Sequence, residues 1–165
     1  MRRATLGDAG AIFESYAADH AVTRHLGWIP HKDRSETTLF LNKVTEEWTT
    51  SRGFPLVVFS HSDPADLVGM FRAHAGGFKV NDGYVLASRA WGKGCASEIL
   101  GWLVERALAH PAIYRAEAFC DVDHLASARV MEKAGMIREG RLARYVVHPS
   151  ISDTPRDCFM YARVL

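Results

Sequence analysis

The chain has 165 residues, the usual size of one domain, and predicts a single unit over residues 1–165 whose core needs neither disulfides nor metal. Its 20 basic and 19 acidic residues leave a net charge of +1, which offers no broad field for nucleic acid or an anionic membrane. Cys95, Cys120 and Cys158 are odd in number and lack C-x-x-C spacing, and no apolar run nears the roughly 20 residues of a membrane span, so a cytoplasmic protein is expected.

Thr5-x-x-Asp8 resembles a capping box, and Ala9, Ile12, Phe13, Tyr16 and Ala17 recur at helical spacing, predicting a first helix to about Asp19. Only Met1 to Ala4 precede it, so a first strand must be short. His20 to Lys32, with Gly27 and Pro30, reads as an irregular loop. Asp33-x-x-Glu36 then opens a second helix with Leu39, Phe40, Val44 and Trp48 on one face. Phe54–Ser60, Leu67–His74 and Phe78–Ala87 are β-rich runs separated by Asp63-Pro64 and Gly76-Gly77, an antiparallel meander.

Ala96, Ile99, Leu100, Leu103, Val104, Ala107 and Leu108 form the apolar face of a third long helix. Ile113 to Val122 alternates as a strand with Arg115, Glu117 and Asp121 on one face. Strand, loop, helix and strand in this order demand a parallel pair. A short helix with Ala126, Val130, Met131 and Ala134 inward ends at Gly135, and strands over Leu142–Val147 and Cys158–Val164 close the chain. The last hairpin offers an edge on which a homodimer could pair, so monomer and homodimer both remain open.

The most informative stretch is Arg89-Ala90-Trp91-Gly92-Lys93-Gly94, between the third strand run and the long helix. A strand that breaks into a glycine loop and re-forms as a helix aims free backbone N–H groups and the positive end of the helix dipole at one point, which attracts phosphate. A dinucleotide fingerprint needs a third glycine where Ser97 stands, and a P-loop needs two glycines separated by four residues with Lys-Ser or Lys-Thr after the second. Neither pattern is present.

This loop, with Gly83-Tyr84-Val85-Leu86 before it and Ser127-x-Arg129-Val130-Met131-Glu132-Lys133-Ala134-Gly135-Met136 beyond it, resembles the GNAT superfamily of N-acetyltransferases. Within it the chain is similar to the branch containing RimJ and RimL, and Val22 to His31 also resembles that branch. The resemblance implies an α+β fold: a central, mostly antiparallel and partly parallel sheet with splayed middle strands, flanked by about four helices. It implies transfer of an acetyl group from acetyl-CoA to a protein N-terminal amine or a small-molecule amine, by direct attack in a ternary complex.

On that reading the pantetheine arm lies along Leu86, Ala87 and Ser88, where a β-bulge near Tyr84 to Ala87 parts the strands. Arg89, Trp91, Gly92, Lys93, Gly94, Cys95, Ala96 and Ser97 form the pyrophosphate site. His124, standing where relatives carry Asn, contacts the cofactor together with Ser127. Ser127 is the first candidate to protonate the leaving thiolate and Tyr145 the second, while Glu117 or Asp121 would deprotonate the amine. Trp28, His31 and Trp48 would line the acceptor pocket. Each has a plainer alternative: Ser127 as a helix cap, the two carboxylates as paired surface groups, and Trp48 as core packing. A covalent cysteine route through Cys95 fits poorly, because that residue stands beside the pyrophosphate. No metal is expected, since the eight histidines show no metal-ligand spacing. The competing readings are a non-catalytic acyl-CoA-binding module, for which His124 would mark a degenerate site, and a flavin or nucleotide enzyme using the same loop.

Overall fold

In the computed structural model, which describes residues 1–165, the first helix begins where its capping residues place it. The Asp8 carboxylate accepts hydrogen bonds from the Thr5 backbone N–H at 2.8 Å and the Thr5 hydroxyl at 3.0 Å, and it pairs with Arg2. A 3-10 turn (Leu6–Asp8) leads into α1 (Ala9–Ile12) and a π-helical turn (Phe13–Ala17). The segment expected to be irregular from His20 instead opens with one further turn, α2 (His20–Thr23). Asp19 caps it by accepting the Ala21 N–H at 2.8 Å, a cap too short to leave a periodic signal.

Asp33 caps α3 (Arg34–Thr45) in the same way, accepting from Ser35 N–H. Thr37, Leu41 and Val44 form the buried face, whereas Leu39 is 68 % exposed. The expected face was therefore rotated, because a Thr with a satisfied hydroxyl can take a core position that hydrophobicity alone assigns to its neighbours. Trp48 is half-buried and packs edge-on against Phe54 at 4.9 Å, the core-packing reading.

The strands are β1 (Arg2–Arg3), β2 (Gly53–Phe59), β3 (Leu67–Gly76), β4 (Lys79–Leu86), β5 (Arg115–Asp121), β6 (Ile137–Val146) and β7 (Arg156–Val164). They form one seven-stranded sheet in the order β1-β2-β3-β4-β5-β7-β6, antiparallel except for β4 with β5. That parallel pair is short: Lys79, Val80 and Asn81 face Arg115, Ala116 and Glu117, and the strands then part.

The parting has a cause other than the bulge the sequence predicts. The β3–β4 register runs unbroken from Gly69 opposite Leu86 to Gly76 opposite Lys79, and the nearby irregularity lies one strand over, between β2 and β3 at Val58/Phe59. Meanwhile β5 stays zipped to β7 along its whole length. Each middle strand follows its outer neighbour, and the twist of the two half-sheets opens a fork between them.

Helix α4 (Cys95–Leu108) and α5 (Leu125–Lys133) cover one face, where Leu100, Val104 and Met131 pack on Val80, Leu86, Ala116 and Ala118. The other face carries Ile12, Tyr16, Leu41 and Val44 on Val57, Met70 and Ala87. Each such fully buried aliphatic side chain contributes about 1.5–3 kcal/mol by leaving water. In α5 Ser127, Ala128 and Met131 are buried, with Ala134 buried just past its end; of the predicted stripe Met131 and Ala134 face inward, Val130 is half-buried and Ala126 faces solvent. Gly135 ends the helix at φ +81°. No helix is long and apolar enough to cross a membrane.

Candidate active site

The fork opens beside the glycine loop. Gly92 and Gly94 hold φ of +73° and +82°, and no atom lies within 4 Å of where a Cβ would stand on either. The first hydrogen bond into α4 runs from Glu98 N–H to Gly94 C=O, so the N–H groups of Cys95, Ala96 and Ser97 have no helical acceptor. With exposed Lys93 beside them, these donors form an open cradle whose space and charge fit a pyrophosphate.

The remaining loop residues divide. Trp91 is half-exposed and its indole N–H donates to the Leu86 carbonyl at 2.9 Å; the Ala87 N–H is bonded to Val68 C=O, and the Ser88 hydroxyl to Asp19. Arg89 turns away from the cradle. Its guanidinium pairs with Asp66 and donates to the Ser15 hydroxyl at 3.0 Å and the Leu67 carbonyl at 2.8 Å, because the 3-10 turn Ser88–Ala90 directs it to the back of the loop. It braces the loop against β3 rather than contacting the cradle.

Ser127 does not cap its helix; His124 occupies the N-cap position. The Ser127 hydroxyl is buried and lies 2.8 Å from the Tyr84 hydroxyl on β4, joining the two sides of the fork. Burial pushes the Tyr84 phenol well above its usual range, so it stays neutral. Tyr145 is placed elsewhere, edge-on to Phe119 at 5.0 Å, on the face of β5 opposite to Ala118 and Cys120 over which α5 packs. The structure therefore pairs Ser127 with Tyr84 and not with Tyr145.

Glu117 is likewise not brought to the opening. It sits in the last paired register of β4 and β5, bound by Lys79 and Arg115 at 2.7 Å each. Burial alone would raise its carboxyl, but the two cations outweigh that and hold it below its usual range. Asp121 ends β5 with its side chain fully buried and paired with Arg156 at 2.6 Å. Burial again acts upward, and Arg156, the Asp123 N–H and His148 reverse it. Both carboxylates are anions committed to cations.

At the mouth of the fork three imidazoles gather. His124 stacks on His25 with ring centroids 4.3 Å apart and planes within 10°, and His148 meets His25 edge-on at 6.2 Å. Burial, with His25 beside it, pushes His124 down to about 4, so it is neutral at physiological pH. Trp28 and His31 lie together farther along the same loop, ring centroids 4.7 Å apart, with the His31 ring bonded to the Thr37 hydroxyl and the His31 backbone N–H donating to Ala17 C=O.

Tyr84, His25 and Asp82 are the residues that sequence reasoning passed over. Asp82 had a signal: it alternates with Val80, Tyr84 and Leu86 and so belongs on the apolar face, where its carboxylate is buried with no partner. The His25–His124 stack had none, because its members are far apart in sequence.

A parallel pair forked beside a glycine-shaped helix start, with a hydroxyl pair bridging β4 and α5 next to it, is the framework of a group transferase with a phosphate-sized cradle. The chain belongs to the GNAT acetyltransferase family: residues 1–137 match the family's acetyltransferase (GNAT) domain. It is an N-acetyltransferase. It is 27 % identical to the uncharacterized N-acetyltransferase YoaA of Bacillus subtilis (strain 168), over 99 % of this chain and 92 % of that protein. Among solved structures, a GNAT-family acetyltransferase from Bacillus anthracis superposes with a TM-score of 0.81 at 26 % identity, covering 99 % of this chain and 92 % of that one. RimL, a ribosomal L7/L12 alpha-N-protein acetyltransferase solved with coenzyme A, superposes with a TM-score of 0.84 at 21 % identity, covering 99 % and 92 %.

Proposed function

We propose that the chain, acting as one domain in the cytoplasm, transfers the acetyl group of acetyl-CoA to a primary amine within a ternary complex. The observation that carries this is the fork itself, opening beside the Gly92–Gly94 cradle. The pyrophosphate would rest on the N–H groups of residues 92–97 and Lys93, and the pantetheine along the free edge of β4 toward Leu86–Ser88, as a peptide adds to a sheet. The thioester then lies near the Tyr84–Ser127 pair, where Ser127 protonates the departing thiolate. Coenzyme A in the RimL structure supports the ligand, and RimL's action on a protein N-terminus supports an acceptor with a free α-amine. The Trp28–His31 pair offers an aromatic wall to whatever group carries that amine.

Calorimetric titration of acetyl-CoA, followed by thiol release with a panel of free-amine peptides and small amines, tests this reading. Binding with turnover on at least one acceptor is expected. Binding with no turnover on any of them would turn the reading to an acyl-CoA-binding module.

A further inference from the structure

An amine that attacks a thioester must lose a proton, and the carboxylates near the fork are not placed to take it: Asp82 is unpaired, but both its oxygens are sealed from solvent on the apolar face, and the others are engaged. Glu117 is held by two cations and Asp121 by Arg156; Asp123 also pairs with Arg156, and Asp19 receives the Ser88 hydroxyl. The imidazoles at the mouth are different. The Nδ1 atom of His25 is sealed from solvent without a hydrogen-bond partner, so the half-buried ring offers Nε2 to its open side. The ring belongs to the loop that runs on to Trp28 and His31, yet it lies flat on His124 at the start of α5, which joins the acceptor side of the site to the cofactor side.

We infer that His25 is the general base that deprotonates the acceptor amine, with His124 and His148 as the positioning residues that fix its ring. This rests on the acetyl-transfer reading above. The groups facing His25 are Arg24 on its own loop, His124, Asp121 at the end of β5, His148 after β6, and Arg156 of β7. Burial is the largest influence on the ring and lowers its pKa; His148, Arg24 and Arg156 act the same way against Asp121. A neutral imidazole with an available lone pair is the form a base requires. In the step, the amine nitrogen bonds to the thioester carbonyl carbon and one N–H proton passes to Nε2 of His25. As the carbon–sulfur bond breaks, sulfur keeps the electron pair and takes the Ser127 proton. Tyr84 resupplies Ser127 and is reprotonated from water, and His25 returns its proton to water, so the net transfer is one proton from nitrogen to sulfur.

The test compares His25→Phe, which keeps an aromatic ring on His124, with His25→Ala, each as the full chain with acetyl-CoA and the acceptor that wild type turns over fastest. Both variants are expected to lose about 10²–10⁴-fold in kcat/KM, as removal of a general base does. Acetyl-CoA affinity by calorimetry should be unchanged, the imidazole-dependent acid limb of the pH profile should vanish, and added imidazole should restore part of the activity of His25→Ala. Wild-type kcat/KM and pH profile in His25→Phe would overturn the assignment. So would a loss in both variants with the pH profile unchanged and no imidazole rescue, because that is the mark of a packing role. Absence of wild-type turnover with every acceptor would instead defeat the transfer reading itself.

Discussion

The Tyr84 and Ser127 hydroxyl oxygens lie 2.8 Å apart and tie β4 to α5 across the gap where the middle strands separate. The Tyr84 hydroxyl also reaches the Ser127 carbonyl at 3.3 Å. One half-buried phenol thus fixes both the orientation and the backbone position of the serine that faces the proposed thiolate.

Ser127→Ala is therefore expected to lower kcat by about 10²-fold with acetyl-CoA affinity unchanged, since a proton donor is lost but no binding contact of comparable weight. Tyr84→Phe removes both hydrogen bonds to Ser127, each worth about 1 kcal/mol, so kcat should fall by roughly 30-fold. Steady-state rates with calorimetric Kd values check both. A Ser127→Ala enzyme with wild-type kcat would remove Ser127 from the chemistry.

The cradle makes a separate prediction. Gly94 holds a left-handed φ of +82°, where a Cβ costs roughly 1–2 kcal/mol. For a chain of this size that lowers Tm by about 2–8 °C. The added methyl also enters the open space in which the pyrophosphate would approach the backbone, so Gly94→Ala should bind acetyl-CoA about tenfold more weakly or worse, a loss of about 1.4 kcal/mol. Melting curves with and without acetyl-CoA separate the two effects. If the ligand raised the Tm of the variant as much as that of wild type, the pyrophosphate would have to lie elsewhere.

The order of elements and the glycine loop were legible in the sequence because both are local. Caps at Asp8 and Asp33, the stop at Gly135 and the period-2 strands depend on residues a few positions apart. The fork was legible only as a consequence of family resemblance, and its cause was not. No bulge parts the strands; the separate allegiances of β4 to β3 and β5 to β7 do, and those are long-range pairings. The site follows the same division. Ser127 lies on its predicted helix and the glycine loop at its predicted helix start, whereas Tyr84 as the serine's partner, the pairing of Arg89 with Asp66 and the histidine stack are contacts between distant segments. Glu117 looked available because strand alternation shows which face a residue occupies but not which cations share it.

Asp82 gives stability an unusual pH dependence. Both carboxylate oxygens are buried without a partner, and burial pushes the group up to about 7. Between the ordinary aspartate range near 4 and pH 7 the unfolded chain releases this proton and the folded protein keeps it, so stability falls as pH rises through that window and levels off above it. The span of roughly three units corresponds to at most about 4 kcal/mol. Asp82→Asn carries its own buried polar cost but no titration. Its Tm should decline less than that of wild type between pH 5 and pH 8, as measured by calorimetry in parallel buffers. Identical slopes for the two proteins would mean that Asp82 finds a partner in solution.

Asp121 should behave in the opposite sense. Its carboxyl is held below the usual range, so its contribution is complete above the ordinary aspartate range and disappears as pH falls through its lowered value. Arg156 is the cause: it reaches Asp121 at 2.6 Å and Asp123 at 2.6 Å. Removing it in Arg156→Ala leaves a fully buried carboxylate with no cation nearer than the His148 imidazole, 3.7 Å away. Desolvation is then opposed only by the Asp123 N–H and the neighbouring histidine, so the carboxyl rises from its lowered value and less of its contribution is left to disappear as pH falls. At pH 7 a Tm loss on the order of 10 °C is expected, in line with the cost of stranding a buried charge. Asp121→Asn in the same background should recover part of it, because the stranded charge is then gone. Melting the single and double variants closes the cycle. A double variant no more stable than Arg156→Ala would show that Arg156 acts through packing on its neighbours and not through the Asp121 charge.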